Sequence, residues 1–479
     1  MNYKMILNTI GKILKLEAIL MFLPLIVSLI YQENTYISFL IPISATLMLG
    51  HLFSLKKPDK KDFFAKEGFI IVGLSWIIMS FFGCLPFIIS KEIPNFVDAF
   101  FEIVSGFTTT GASILSDVES LSKGMLFWRS FSHWIGGMGI LVFMLAFLPS
   151  TGNNIHILRA ESPGPQVGKI VSKIKLSARI LYIIYICLTL IQIIMLLFGG
   201  VEVFDALTIS FGTAGTGGFA IKNSSIAEYS SYCQIVTTVF MFLFGLNFNV
   251  FFFCLIGNFK QALKSEEVYW YFGIVVAAIA LISTVLCLNN DLSIGNNIKD
   301  AAFQVVSIMT TTGFVTTNYD NWPVICQGIL FLLMFIGACS SSTGGGLKVS
   351  RVVIMFKNGV RQVRQLIHPN SITSVRFEDQ KLDENVIKNV TGYFSVFMII
   401  YIILVLIISI DGADLKTNLT AVAACINNIG PGLGKVGPVE NFGFYSPLSK
   451  IALIFAMLIG RLEVFPLLIV FSPRTWMNK

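Results

Sequence analysis

The sequence predicts an all-α integral membrane protein: four parallel helix–pore loop–helix repeats around one pore, preceded by two extra transmembrane helices. Three observations lead there. The 479 residues are 55% hydrophobic and only 13% charged, about half the charged fraction of an ordinary soluble domain. Basic residues gather in short loops between apolar stretches. A short Gly-ending segment, Thr-rich in three copies, recurs along the chain, each time flanked by apolar stretches, as an internal repeat does.

The elements follow in order. Two leading spans, at about residues 7–31 and 36–55, have the roughly 20 residues that a hydrocarbon core demands. No small-residue cleavage site follows the first, so it does not read as a removed signal. Further apolar stretches lie at 69–89, 180–198, 271–288, 393–410 and 449–471. Each repeat reads as span, re-entrant half-helix, Gly-containing strand and span, which makes ten crossings with the leading pair. The boundaries are residues 1–60 for the leading helices, 61–160 for repeat one and 161–262 for repeat two. Residues 263–385 form repeat three with a gating loop and cytoplasmic linker, and 386–479 form repeat four.

The net charge of +7 follows from the same plan. Lys12 and Lys15 precede the first span. Lys56, Lys57, Lys60 and Lys61 form one cluster, Lys169, Lys173, Lys175 and Arg179 another, and Arg351, Lys357, Arg361 and Arg364 a third. Arg474 and Lys479 follow the last span. This positive-inside pattern puts both termini in the cytoplasm and leaves no reason to expect a nucleic-acid partner.

Three copies of the repeat share a visible core. They are Thr108-Thr109-Thr110-Gly111, Ala214-Gly215-Thr216-Gly217-Gly218 and Thr310-Thr311-Thr312-Gly313. An Asp precedes each: Asp98, Asp205 and Asp300. In the weaker fourth copy Asp414 leads to Asn427-Asn428-Ile429-Gly430. Each Asp is expected to cap its half-helix, accepting hydrogen bonds from orphan amides. Irregular backbone at membrane depth is tolerated only where it is buried or lines a water-filled cavity. Glycine frees the backbone to aim successive carbonyls at a central ion. The partial negative C-terminal ends of four half-helices then favour a cation.

Further features lie outside the Thr-Gly cores. The stretch 337–346, GACSSSTGGG, interrupts an apolar span with poor helix formers. It reads as a flexible loop below the filter or, more plainly, as a kink or small-residue packing face. Arg461 sits in an apolar run, where a charge is a functional candidate by default, against a plain structural ion pair. Lys348 ends the interrupted span and either snorkels to the interface or serves the pore. Glu102 and Arg129 are expected near the outer mouth. His133 lies one turn beyond Arg129.

Beyond the repeat, Trp134-Ile135-Gly136-Gly137-Met138-Gly139, Ser340-Ser341-Ser342-Thr343-Gly344-Gly345-Gly346-Leu347-Lys348 and Gly460-Arg461-Leu462-Glu463 resemble motifs of the Trk/Ktr/HKT superfamily of potassium transporters. The two leading spans resemble its TrkH membrane subunits most. The resemblance implies potassium as transported ion, bound only at the filter, with no cofactor in this chain. It implies filter glycines at Gly111, Gly217, Gly313 and Gly430, flanked by Thr109, Thr110, Thr216, Thr311, Thr312, Asn428 and Ile429. It implies a gate of Gly337, Ser340, Ser341, Thr343, Gly344, Gly345, Gly346 and Arg461. It further implies a homodimer in the cell membrane and a cytoplasmic nucleotide-binding partner, TrkA-like. The segments 151–178, with Pro163-Gly164-Pro165, and 349–385 would be docking loops. Gly111 stands where sodium-favouring plant members tend to carry Ser. No GxxxxGK[ST] motif is present, so nucleotide hydrolysis is not expected of this chain.

Rival readings are weaker. A sodium- or proton-coupled potassium symporter of the Ktr/HKT type would use the same filter. An alternating-access transporter is expected to carry inverted repeats, whereas these run parallel. A membrane-embedded enzyme needs clustered carboxylates, His or Cys, but the four His and eight Cys are scattered.

Overall fold

The structure, a computed structural model, describes residues 2–55, 65–139, 174–262, 264–289, 293–370 and 373–476. Lys56, Lys57, Lys60, Lys61, Lys169, Lys173 and Lys479, and the loop with Pro163-Gly164-Pro165, lie outside the described residues.

The helix Tyr3–Leu20 runs through Met21, itself in the right-handed helical region, into Phe22–Ile30. Tyr36–Leu55 returns alongside it. The two cross where Gly11 meets Gly50. A Cβ on either glycine would stand 2.8 or 2.9 Å from the other's carbonyl oxygen, so only small residues allow the approach.

Four repeats follow. Their outer helices are the long apolar spans Glu67–Ser90, Ala178–Phe198, Glu266–Asn289 and Glu384–Asp411. Their pore helices are Phe96–Phe107, Val203–Gly215, Ile294–Met309 and Leu415–Ile426, of 12, 13, 16 and 12 residues. At 1.5 Å per residue they are about 18–24 Å long, short of a bilayer core.

Among the described residues, each inner helix ends or breaks early. Lys123–Gly137 ends at Met138, before Gly139 at φ +72°. Ser231–Phe244 turns through 90° into Phe248–Leu255. Val324–Met334 gives way to a loop that reaches Val349. Pro447–Leu462 breaks at Glu463, φ +63°, before Val464–Phe471. By length and composition, the described residues hold six helices able to cross a membrane unbroken, or seven with the bent pair counted once. Only the break in repeat three is marked in the sequence, by the run GACSSSTGGG.

The segment 349–385 also differs from the expected loop. Val349–Ile367 is a helix, followed by a small antiparallel hairpin, Arg376–Phe377 with Gln380–Lys381. Val349, Val353 and Ile354 are buried at helical spacing, together with Arg351, while Phe356, Val360, Val363 and Leu366 are exposed among Lys357, Arg361 and Arg364. Outside the bundle, Ile19, Ile26, Leu190, Ile194, Phe272, Val276, Ile402 and Leu406 are exposed. Such a belt is matched to lipid rather than water.

Candidate functional site

All four pore helices end the same way. A residue just past the helix turns left-handed, the first in repeat two and the second in the others: Thr109 at φ +55°, Thr216 at +54°, Thr311 at +59° and Asn428 at +55°. The amide of the next residue reaches back to the fourth carbonyl before that turn. These bonds are Thr110 to Ser105 at 2.9 Å, Gly217 to Gly212 at 2.9 Å, Thr312 to Ser307 at 2.8 Å and Ile429 to Ala424 at 2.8 Å. This is the Schellman arrangement, whose left-handed residue is usually Gly or Asn. A left-handed β-branched Thr costs roughly 1–2 kcal/mol, and strain of that size persists only where the surroundings over-determine it.

A glycine at positive φ comes next: Gly111 at +78°, Gly218 at +74°, Gly313 at +82° and Gly430 at +98°. The second-repeat glycine is thus Gly218, one residue beyond the expected Gly217, which takes the place of Thr110, Thr312 and Ile429. A side chain on Gly217 would run into the His133 ring, so glycine is required there for packing. Phe219 and Phe314 each follow a glycine directly, and aligning those Gly-Phe pairs would have found the register.

The four loops close into a ring. A Cβ on Gly111 would overlap the carbonyl oxygen of Gly217, one on Gly218 that of Thr312, and one on Gly313 that of Ile429. One on Gly430 would stand 2.8 Å from the carbonyl oxygen of Thr110. Each loop therefore admits its neighbour's carbonyl only because its own glycine has no side chain. Thr108 and Thr110 share a hydroxyl hydrogen bond of 2.8 Å, and Thr310 and Thr312 one of 2.7 Å. The Thr109 hydroxyl is buried without a protein partner. Asn428 Nδ2 donates to Thr110 Oγ1 at 2.9 Å and to the Met457 carbonyl at 2.9 Å, joining repeat four to repeat one.

Of the four aspartates, Asp414 caps its helix: Oδ2 accepts from the Thr417 amide at 3.1 Å. The other three do not. Asn95 caps the first pore helix and Ser293 the third, while Glu202 precedes the second without a side-chain cap. Asp98 and Asp205 lie in the first turn, where their charge still suits the helix dipole. They accept instead from Lys450 Nζ at 2.6 Å and the Tyr229 hydroxyl at 2.8 Å. Asp300 falls in mid-helix because Ser293 starts that helix earlier.

Beneath the ring lies the interrupted segment of repeat three. The Gly345 amide donates to Thr311 Oγ1 at 2.8 Å. A Cβ on Gly345 would press on the Asn427 carbonyl and the Asn428 side chain. The loop's ends meet through the Gly337 amide and Leu347 carbonyl at 2.6 Å. Ser340 and Ser350 hydroxyls share a bond of 2.6 Å. Their amides, at 2.7 and 3.2 Å, both donate to Glu267, a buried residue not anticipated from sequence. The loop also clasps the bend of repeat two. Cys339 N donates to the Gly245 carbonyl at 3.0 Å, and the Phe248 amide to Ser341 at 3.2 Å.

Two cations hold this loop. Lys348 is fully buried, and its Nζ donates to the Gly344 and Gly345 carbonyls. It does not snorkel to an interface as one reading expected. Arg461 donates to the Thr343 carbonyl at 2.7 Å, to Gly137 at 2.6 Å and to Gly136. Gly136 and Gly137 end the first inner helix, where orphan carbonyls attract a cation. Glu463 faces elsewhere and pairs with Arg351 at 2.6 Å. Arg129 and Glu102 are buried partners at 2.7 Å. His133 is buried against Phe219, ring centroids 4.2 Å apart, with Nδ1 2.7 Å from the Gly106 carbonyl.

The family described as "TrkH: Cation transport protein" matches residues 34–478. The chain is 37% identical to the Trk system potassium uptake protein TrkH of Escherichia coli, over 99% of this chain and 100% of that one. It is 30% identical to the Trk system potassium uptake protein TrkG of Escherichia coli, over 99% of each. The crystal structure of the potassium transporter TrkH from Vibrio parahaemolyticus superposes with a TM-score of 0.90 at 32% identity, over 100% of both chains.

Proposed function

The chain belongs to the TrkH family of cation transport proteins, and from that premise we propose that it takes up potassium through a gated, channel-like pore. The observation that carries the reading is the closed ring of Gly111, Gly218, Gly313 and Gly430, each interlocked with the next loop's carbonyl. In this reading the loop carbonyls replace the water shell of a potassium ion. The Thr109 hydroxyl supplies a further free oxygen. The four pore-helix C-termini stabilise the cation electrostatically. Ion passage needs no bond to be made or broken, so the work is transport rather than catalysis, and no cofactor is called for.

The segment 337–346, with Lys348 and Arg461, is the gate. It lies against Thr311 and Asn428 on the inner side of the ring, and its two cations oppose an incoming cation by charge. Both termini are cytoplasmic. A second copy of the chain and a cytoplasmic nucleotide-binding subunit complete the transporter. Gating by such a subunit would act through Val349–Ile367, which continues directly from the gate.

The test is cation flux in liposomes loaded with potassium, wild type against Gly313→Ser. Potassium flux above sodium flux in the wild type is expected, with the ratio reduced by the substitution, because the new Cβ overlaps the Ile429 carbonyl. An unchanged ratio removes the ring as the selective element. Flux that requires a sodium or proton gradient would favour the coupled symporter.

A further inference from the structure

Outside the glycine ring runs a second ring of hydrogen bonds. The carbonyl two residues beyond each ring glycine accepts from the preceding repeat. Arg129 Nη1 of repeat one donates to Ala220 at 3.2 Å. The Ile226 amide of repeat two donates to Val315 at 3.0 Å. The Tyr319 hydroxyl of repeat three donates to Gly432 at 3.1 Å. The Phe442 amide of repeat four donates to Ser113 at 2.8 Å. The four links run in one direction and close on themselves. Two are backbone bonds, and the two side-chain links stand at opposite interfaces, between repeats one and two and between three and four.

The side-chain donors are themselves fixed. Arg129 lies on the Phe219 ring at 4.0 Å and pairs with Glu102. Glu102 in turn accepts from Ser113 Oγ at 2.9 Å and the Ile114 amide at 3.0 Å. Tyr319 is fully buried, so its hydroxyl has no water to turn to in place of Gly432.

We infer that Arg129 and Tyr319 are positioning residues that set the diameter of the glycine ring, and with it which cation passes. Neither touches the ion: each holds an interface from outside by the strand that leaves the ring. Selectivity of a carbonyl site depends on its size or on the number and field of its oxygens. Either way, a strand released at one interface changes it. The inference rests on the filter reading above.

The test compares potassium and sodium flux in liposomes for wild type, Tyr319→Phe, Arg129→Lys and Gly313→Ser. Tyr319→Phe removes one hydroxyl and keeps the ring that packs. Arg129→Lys keeps the charge for Glu102 but not the fork that reaches Ala220. Each is expected to lower the potassium-to-sodium ratio roughly three- to tenfold, the net worth of one hydrogen bond. The ratio does not depend on how much protein is reconstituted, so a general loss of folded protein leaves it unmoved. If Gly313→Ser lowers the ratio and neither strut variant does, the inference falls while the filter reading stands. Strut variants that carry no ion at all also overturn it, since the struts are assigned to selection and not to formation of the pore. If Gly313→Ser leaves the ratio unchanged, the filter reading itself fails and this inference goes with it.

Discussion

Replacing Arg461 by Ala removes hydrogen bonds to Thr343, Gly136 and Gly137, yet these do not weigh equally on gating. In the proposed gating motion the loop moves while the inner helix carrying Gly136 and Gly137 stays, so only the bond to Thr343 differs between the closed and open states. A ligand or side chain shifts an equilibrium only by its differential interaction with the two states. One hydrogen bond from a charged donor is worth about 1.5–3 kcal/mol, so the open population should rise roughly ten- to 150-fold from a mostly closed pore. Losing a positive charge beside the cation path acts in the same direction. The assay is rubidium uptake into potassium-loaded liposomes, with Arg461→Lys as the intermediate case because it keeps charge without the fork. Expected uptake rises in the order wild type, Arg461→Lys, Arg461→Ala. Equal uptake in all three, with folded protein verified by detergent gel filtration, would refute Arg461 as part of the gate.

Two further outcomes follow from contacts at the ends of the loop and of the pore helices. Glu267→Ala leaves the Ser340 and Ser350 amides without their shared acceptor, so uptake should increase and residues 337–346 should exchange amide hydrogens faster; unchanged exchange there would mean that Glu267 does not anchor the loop. Asp414→Ala should lower thermal stability by about 1 kcal/mol as a lost N-cap, whereas Asp300→Ala, in mid-helix, should stay within about 0.5 kcal/mol; equal losses by thermal unfolding would contradict the capping assignment.

The membrane class, the leading helical pair and the fourfold repeat were all legible from local signals. Apolar run length reports the solvent, and Thr-Gly spacing reports where the chain must turn. The fourth repeat was readable despite its lost threonines because Asp414, the flanking spans and Gly430 keep their places; the structure adds that Asn428 adopts the same left-handed backbone as Thr109 and Thr311. The glycine register in repeat two was misread by one residue, since Gly217 and Gly218 both fit a Thr-Gly pattern. Asp98, Asp205 and Asp300 were read as caps from shared spacing alone, but a helix begins where its first turn is satisfied, and Asn95 and Ser293 come earlier.

What the sequence determined by itself is whatever depends on neighbours along the chain: burial in lipid, helix and break, and the recurrence of one unit. Tertiary structure decided which atoms meet across the pore. Arg461 lies 118 residues from Thr343 and 325 from Gly136, and the Asn428 amide bonds a threonine 318 residues away. Such contacts carry no local periodicity. They exist only because the fold brings the four loops together in a single ring, with the ends of distant helices around it.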